Sequence, residues 1–470
     1  MPAKDLLPSN RIAAVAWASR RRRWGKGAGD SGRPRSDKAG LAMVELLVAM
    51  AVGLFLVGGI LQVMVSSKAS YRLGEAQARV QENGRFAVQM LAADLRGARS
   101  TGCRSMVLDE AQDSLHVVAC DLLDPEDGQS GCVGRPAIAS DRPLGYASSQ
   151  KGTADWLAGL PGNATAGAQY KVARQWLRGD VLVSWGTVGE GVYARLPSES
   201  QAADLTRPVE LVVPHKDLVG GRLALITDCE ATDLFTVTSP TKCQSLELDP
   251  PSSLEHEASY DADGSPEDCD ESASSDHADG AGGQVNSDPA LARAYNRQGT
   301  ETSPGTTLRA RVFPFEYSVF YVCCMDSRTG GIQEGGPVNN CNTNPSRYRP
   351  ALCRWSTSTG AQQYVSDVVD MRVTFDGYDG SGGGTRFLDS SGEVTDAAWV
   401  SARGYWDLVD SARIQILATT AEEVRTEVAS PIQTAQASDL GYGLATDRRI
   451  YQPFDVTTAI RASALWYLRP

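Results

Sequence analysis

The chain has 470 residues, enough for about two to four ordinary domains and a sizeable core. Apolar residues make up 42% and charged residues 22%, which excludes a largely disordered or fibrous chain. Residues 1–40 hold ten Lys or Arg against three Asp, a balance of +7, so the total of −12 leaves −19 on the other 430; so acidic a body lacks the clustered basic surface that nucleic acid requires.

The basic stretch, centred on Arg20–Arg23 and continued by Lys26, Arg33, Arg35 and Lys38, precedes a long apolar run. Between Glu45 and Lys68 there are 22 residues without a formal charge. With Leu41–Val44 the run reaches about 25 residues, enough to cross a bilayer as a helix. The positive-inside rule keeps the basic stretch cytoplasmic and puts everything after Lys68 outside. A secretory signal peptide is the alternative, but the run is about twice the usual apolar length and no A-x-A site follows it. Glu45 interrupts the run. A charged group at membrane depth costs about 3 kcal/mol, so its presence calls for a partner or a task.

Past Ser67 the pattern stays helical and becomes two-faced. Leu73, Ala76, Val80, Ala87, Leu91 and Ala98 form one apolar stripe, while Arg72, Glu75, Arg79, Glu82 and Arg85 alternate in sign on a polar surface. One helix is expected over 41–98, with 41–65 spanning the membrane and with Gly53, Gly58, Gly59 and Gly84 as points where it bends or opens. A membrane helix followed by a separate juxtamembrane helix is the alternative.

Residues 99–470 read as a β-rich head. Short runs of strand formers occur at Val181–Trp185, Val192–Leu196, Val209–Val213, Leu223–Thr227, Phe235–Thr238, Tyr317–Val322, Val368–Phe375 and Arg413–Ala418. The fold class expected is α+β, an antiparallel, disulfide-containing head packed on a long N-terminal helix. Residues 245–305 stand apart as a disordered, solvated insertion, since Leu254–Gly280 holds ten Asp or Glu and no Lys or Arg. A calcium loop through Asp261, Asp263, Asp268, Asp270 and Glu271 is the alternative, but proline stands where that loop needs glycine. Asp376 and Asp379, in a glycine-rich run, are explained by a long hairpin loop.

All ten cysteines lie between Cys103 and Cys353, spread as in disulfide-bonded proteins of oxidising compartments. Cys103, Cys120, Cys132, Cys229, Cys243, Cys323, Cys324, Cys341 and Cys353 are the candidates. Neighbours on a strand point to opposite faces, so Cys323 and Cys324 must bond different partners. Local pairings are Cys229 with Cys243, and Cys341 or Cys353 with one of the vicinal pair. There is no CxxC for a zinc ribbon, and His116, His215, His256 and His277 fall in no ligand spacing. No nucleophile-elbow, P-loop or dinucleotide fingerprint occurs, so no enzyme, metal or cofactor is expected.

The string Gly40-Leu41-Ala42-Met43-Val44-Glu45-Leu46-Leu47-Val48-Ala49 resembles the processing site of type IV prepilins, with Leu41 where phenylalanine is usual. The resemblance implies removal of residues 1–40 by a prepilin peptidase, methylation of Leu41 and an assembly role for Glu45. Ser66–Arg72 and Ala78–Ala87 closely resemble the PilW-type minor pilins. Gly179–Val183, Leu225–Cys229, Asp367–Phe375, Trp406–Val409 and Asp447–Arg449 are later echoes. What this implies is a minor pilin that starts or caps a type IV pilus used in twitching motility and adhesion. Its partners would be other minor pilins, the major pilin and a tip adhesin. The protein would sit in the inner membrane with a periplasmic head, then in the surface pilus. A type II secretion pseudopilin and a tip adhesin subunit are the alternatives.

Overall fold

The computed structural model describes residues 43–100, 102, 115–117, 143–150, 171–195, 205–238, 253–255, 259–260, 283–284, 290–291, 295, 310–333, 341–378, 386–387, 393–424 and 447–460, with breaks at 221, 229–230, 342–343 and 345–346. The chain divides into two units, Met1–Ser67 and Lys68–Pro470.

Helix α1 runs from Met43 to Gly97, 55 residues, so one helix rather than two covers the expected span. Its stripe is buried from Val80 onward through Gly84, Ala87, Val88, Leu91, Ala92 and Leu95, at spacings of three and four. Leu73, expected on that stripe, is exposed. Gly84 does not open the helix. It makes room for Phe454, whose ring would lie 2.1 Å from any Cβ placed there.

The strands begin with β1 (Leu115–Val117), β2 (Gly145–Tyr146), β3 (Trp176–Thr187), β4 (Val192–Tyr193) and β5 (Val209–Glu210). Next come β6 (Leu223–Thr227), β7 (Thr232–Thr236), β8 (Ser253–Leu254), β9 (Ser259–Tyr260), β10 (Gly283–Gln284) and β11 (Arg311–Asp326). The last are β12 (Tyr348–Ser356), β13 (Gly360–Ser366), β14 (Val368–Gly377), β15 (Val409–Thr419) and β16 (Tyr451–Ala459). A nine-stranded sheet follows the path β1-β7-β6-β11-β12-β13, with β3 and β4 on the other flank of β11 and β2 beyond β3. A three-stranded sheet follows the order β14-β15-β16, and β9-β10 and β5-β8 are separate pairs. The pairing is antiparallel, as expected, except β1 with β7, which is parallel.

Alternation along the strands sorts the side chains into two cores. One holds Ala87, Leu91 and Leu95 of α1 with Leu182, Phe320 and Ile414. The other lies on the opposite face of β6 and β7, where Ala224, Ile226 and Phe235 meet Leu254, Leu291 and Tyr295. Those last three residues fall inside 245–305, so the borders of that segment supply core; Tyr295 Oη also donates to Asp233 Oδ2 at 2.7 Å. Burying each such aliphatic side chain is worth about 1.5–3 kcal/mol, and the two faces together make β6 and β7 fully internal.

The two larger sheets meet where β3 crosses β14. Gly179 has φ +76°, and a Cβ there would sit 2.5 Å from Asp370 Oδ1 and 2.7 Å from Met371 O. The next residue, Asp180, accepts from Val373 N at 2.9 Å and from Ser148 N at 2.8 Å. α1 lies against elements of both sheets. Arg96 Nε donates to Thr458 Oγ1 at 3.2 Å, Tyr364 Oη to Asp94 Oδ2 at 3.0 Å, and Ser184 Oγ to Asp94 O at 3.1 Å.

Gly179→Ala is expected to cost about 2–4 kcal/mol, because it meets both a left-handed backbone and β14 atoms that cannot withdraw. Gly404, at φ +64° with nothing near its Cβ position, is the control, and Gly404→Ala is expected to cost only about 1 kcal/mol. Urea unfolding of the detergent-solubilised protein, followed by tryptophan fluorescence, checks both. Equal losses would show that contact with β14 adds nothing.

Candidate functional site

Glu45 lies in the first turn of α1, where a carboxylate meets the positive end of the helix dipole. It is exposed, and so are nearly all the side chains after it as far as Tyr71. Met43 is 82% and Phe55 85% exposed, which makes this half of α1 apolar on all sides rather than along one stripe. Gly53, Gly58 and Gly59 meet nothing within 4 Å. Among the described residues α1 is the helix long and apolar enough to cross a membrane. Gly40 and Leu41 lie outside the described residues.

In the head, the segments Gly179–Val183, Asp367–Phe375 and Trp406–Val409 converge near the end of α1. Arg99, at φ +61°, donates its backbone N–H to Trp185 O at 2.5 Å and its Nη2 to Trp406 O at 2.6 Å. Burial lowers the Arg99 guanidinium to about 10, with Asp407 opposing the shift. The Trp406 ring meets Phe375 edge-on at 5.0 Å. Asp180 and Asp370 are each only 6% exposed. Burial raises the Asp180 carboxyl against the pull of its Ser148 and Val373 bonds. Burial likewise pushes Asp370 up to about 7, against the Met371 N–H bond and Arg178, while Asp180 adds repulsion.

The vicinal cysteines bond two different partners. Cys323 joins Cys353 across β11 and β12, and Cys324 joins Cys341. Cys103, Cys120, Cys132, Cys229 and Cys243 lie outside the described residues, as do Asp261, Asp263, Asp268, Asp270, Glu271 and Asp379. Asp376 accepts from Arg386 Nε at 2.5 Å, and the same guanidinium reaches Asp410 Oδ1 at 3.0 Å. Among the described residues no group of three or more His, Cys, Asp or Glu is placed to hold a metal ion. Comparison with protein-family models, with curated proteins and with solved structures gives no match.

Sequence reasoning passed over Asp180 and Asp370 as site residues. The available signal was Gly179, a glycine inside a strand run, which marks a close backbone approach. For Arg99 the sequence carries no comparable signal.

Asp370 titrates above its unfolded value, so its contribution to stability is fully present below about 3.8 and is lost as pH rises through about 7. Asp370→Asn keeps the acceptor for Met371 N and removes the charge. The variant is expected to be about 1–3 kcal/mol more stable than the parent at pH 8 and nearly equal at pH 4. Unfolding curves at the two pH values decide it; an unchanged pH slope would show that Asp370 does not ionise within this range.

Proposed function

We propose that the protein is a minor pilin of the PilW type, cleaved between Gly40 and Leu41 and anchored by α1 in the inner membrane. There it helps to start or cap a type IV pilus with other minor pilins. The observation that carries the reading is Glu45, a lone carboxylate at the head of an exposed helix whose next 22 residues bear no charge. A helix apolar on all sides is stable only in lipid or against other apolar helices. A charge in that setting needs an opposite charge, and the methylated amine of Leu41 on a neighbouring subunit would supply one. Such a pair offsets much of the burial cost and fixes the axial register that an all-apolar seam leaves loose. The head, disulfide-bonded on β11, fits an oxidising periplasm.

Intact-mass analysis of membrane-extracted protein is expected to give the chain from Leu41 with one added methyl group. A mass retaining residues 1–40 would sink the reading. Glu45→Ala is expected to leave insertion and cleavage intact, while cutting co-purification with partner pilins and the number of surface pili. Full complementation of a deletion strain by Glu45→Ala would remove the register argument even where cleavage occurs as stated.

A further inference from the structure

Four aspartates lie on the seam where α1 and the two larger sheets meet. Asp94 is on α1, Asp180 on β3 and Asp370 on β14, and Asp367 is the single residue between β13 and β14. Tyr364 Oη of β13 donates to Asp94 Oδ2 at 3.0 Å, and the Asp180 carboxylate takes N–H groups from Ser148 and from Val373 of β14. Asp370 takes the Met371 N–H at 2.8 Å, and its Oδ1 is 2.5 Å from where a Cβ on Gly179 of β3 would stand. The Asp367 backbone, at φ +59°, donates to Pro350 O of β12 at 3.0 Å and accepts from Thr419 N of β15 at 2.8 Å.

Asp180 and Asp370 are buried and Asp94 and Asp367 partly so, yet none of the four makes an ion pair among the described residues. Buried aspartates elsewhere in the head are held differently. Asp326 has Arg347 at 2.7 Å, and Asp410 has Arg386 at 3.0 Å. On the seam, burial raises all four carboxyls above the ordinary value, and the groups that face them do not reverse it. At Asp94 the Tyr364 bond and Arg354 oppose burial, while Glu316 adds to it. Two backbone N–H bonds oppose it at Asp180, where Asp396 repels. Arg349 and Arg449 oppose it at Asp367. At Asp370 the Met371 bond, Arg178 and Arg372 oppose it, and Asp180 repels.

We infer that the seam is an acid-tightened joint: its carboxyl groups take up protons as the medium acidifies, which draws α1 and the two sheets together. As the medium turns alkaline they give those protons up, and the three-stranded sheet loosens ahead of the rest of the head. The geometry makes the response local. Each charge formed on the seam must be kept dry without a counter-charge, so ionisation favours the open arrangement in which water reaches the carboxylate. The sign follows from the raised values: each group stabilises the closed seam fully below about 3.8 and less as pH rises through its own value. The core on the far face of β6 and β7 draws no residue from α1, β3, β13 or β14, so it stays outside the joint. The inference concerns the head alone and does not depend on the pilin reading.

The test is amide hydrogen exchange of the detergent-solubilised full chain, read by mass spectrometry at pH 5 and pH 8 and corrected for the intrinsic exchange rate. Protection of β14, including the Met371 and Val373 amides, is expected to fall about tenfold or more between the two, with β6 and β7 unchanged. Asp367→Asn with Asp370→Asn is expected to remove most of that fall. Asparagine tolerates the left-handed backbone at 367 and keeps an acceptor for Met371 N at 370. Asp94→Asn keeps an acceptor for Tyr364 and is expected to reduce the fall in α1 between 84 and 97; it is read on its own, so it decides even where the double variant does not fold. Flat protection of β14 between the two pH values overturns the inference. So does an equal fall in β6 and β7, or a fall that these variants leave unchanged.

Discussion

The architecture of the head depends on one buried carboxylate. Asp180 sits on β3 and takes backbone N–H groups from Ser148 and from Val373 of β14, so it ties the nine-stranded sheet to the three-stranded one. A carboxylate without such donors would cost several kcal/mol at this depth, so their positions are constrained as tightly as its own. Gly179 makes the approach feasible, since any side chain there would occupy the space of β14 atoms. From β14 the constraint passes through β15 to β16, whose Phe454 and Thr458 meet Gly84 and Arg96 of α1. β3 and β13 hold the same helix through Ser184 and Tyr364. The seat of the helix therefore requires both sheets at one fixed separation, and the Asp180 bonds set that separation.

The price of this design is a second carboxylate nearby. Asp370 follows β14 into the same dry junction, where it has one local N–H and no buried counter-charge of its own. Burial outweighs hydrogen bonding at both carboxylates and raises both, and Asp370 is pushed up to about 7.

Much of this was legible in the chain. The unbroken apolar run and the two-faced continuation specify α1 because their period is local and long. β6 was read with its full bounds, and β3, β11, β14 and β15 were each found by their cores, with only the ends misplaced. Three of the longer strands were missed, besides the two- and three-residue strands β1, β2, β8, β9 and β10. β12 contains Pro350 and two arginines, β13 is a polar edge strand, and β16 sets Phe454 and Val456 among Pro453 and polar residues. All three are strands because a neighbour offers them a ladder (β13 from β12 just before it, β12 also from β11, β16 from β15), and a tertiary partner leaves no trace in local strand preference. Gly84 was misread for the same reason. A glycine weakens an isolated helix, but here a ring from a strand 370 residues away fills the space it leaves.

The vicinal cysteines show the opposite case, in which a two-residue pattern fixes a long-range outcome. Alternation on a strand sends Cys323 and Cys324 to opposite faces, so one sulfur must look across to β12 and the other out to the segment before it. The bonds to Cys353 and Cys341 close separations of 30 and 17 residues. Cross-links of that span each remove about 3–4 kcal/mol of chain entropy from the unfolded state, by the loop-closure account. Both act on the stretch of β11 that runs beyond the reach of β6, where β12 and β3 are its flanking strands. The longest strand of the head is thus secured by β6 and β7 at one end and by covalent bonds on both faces at the other.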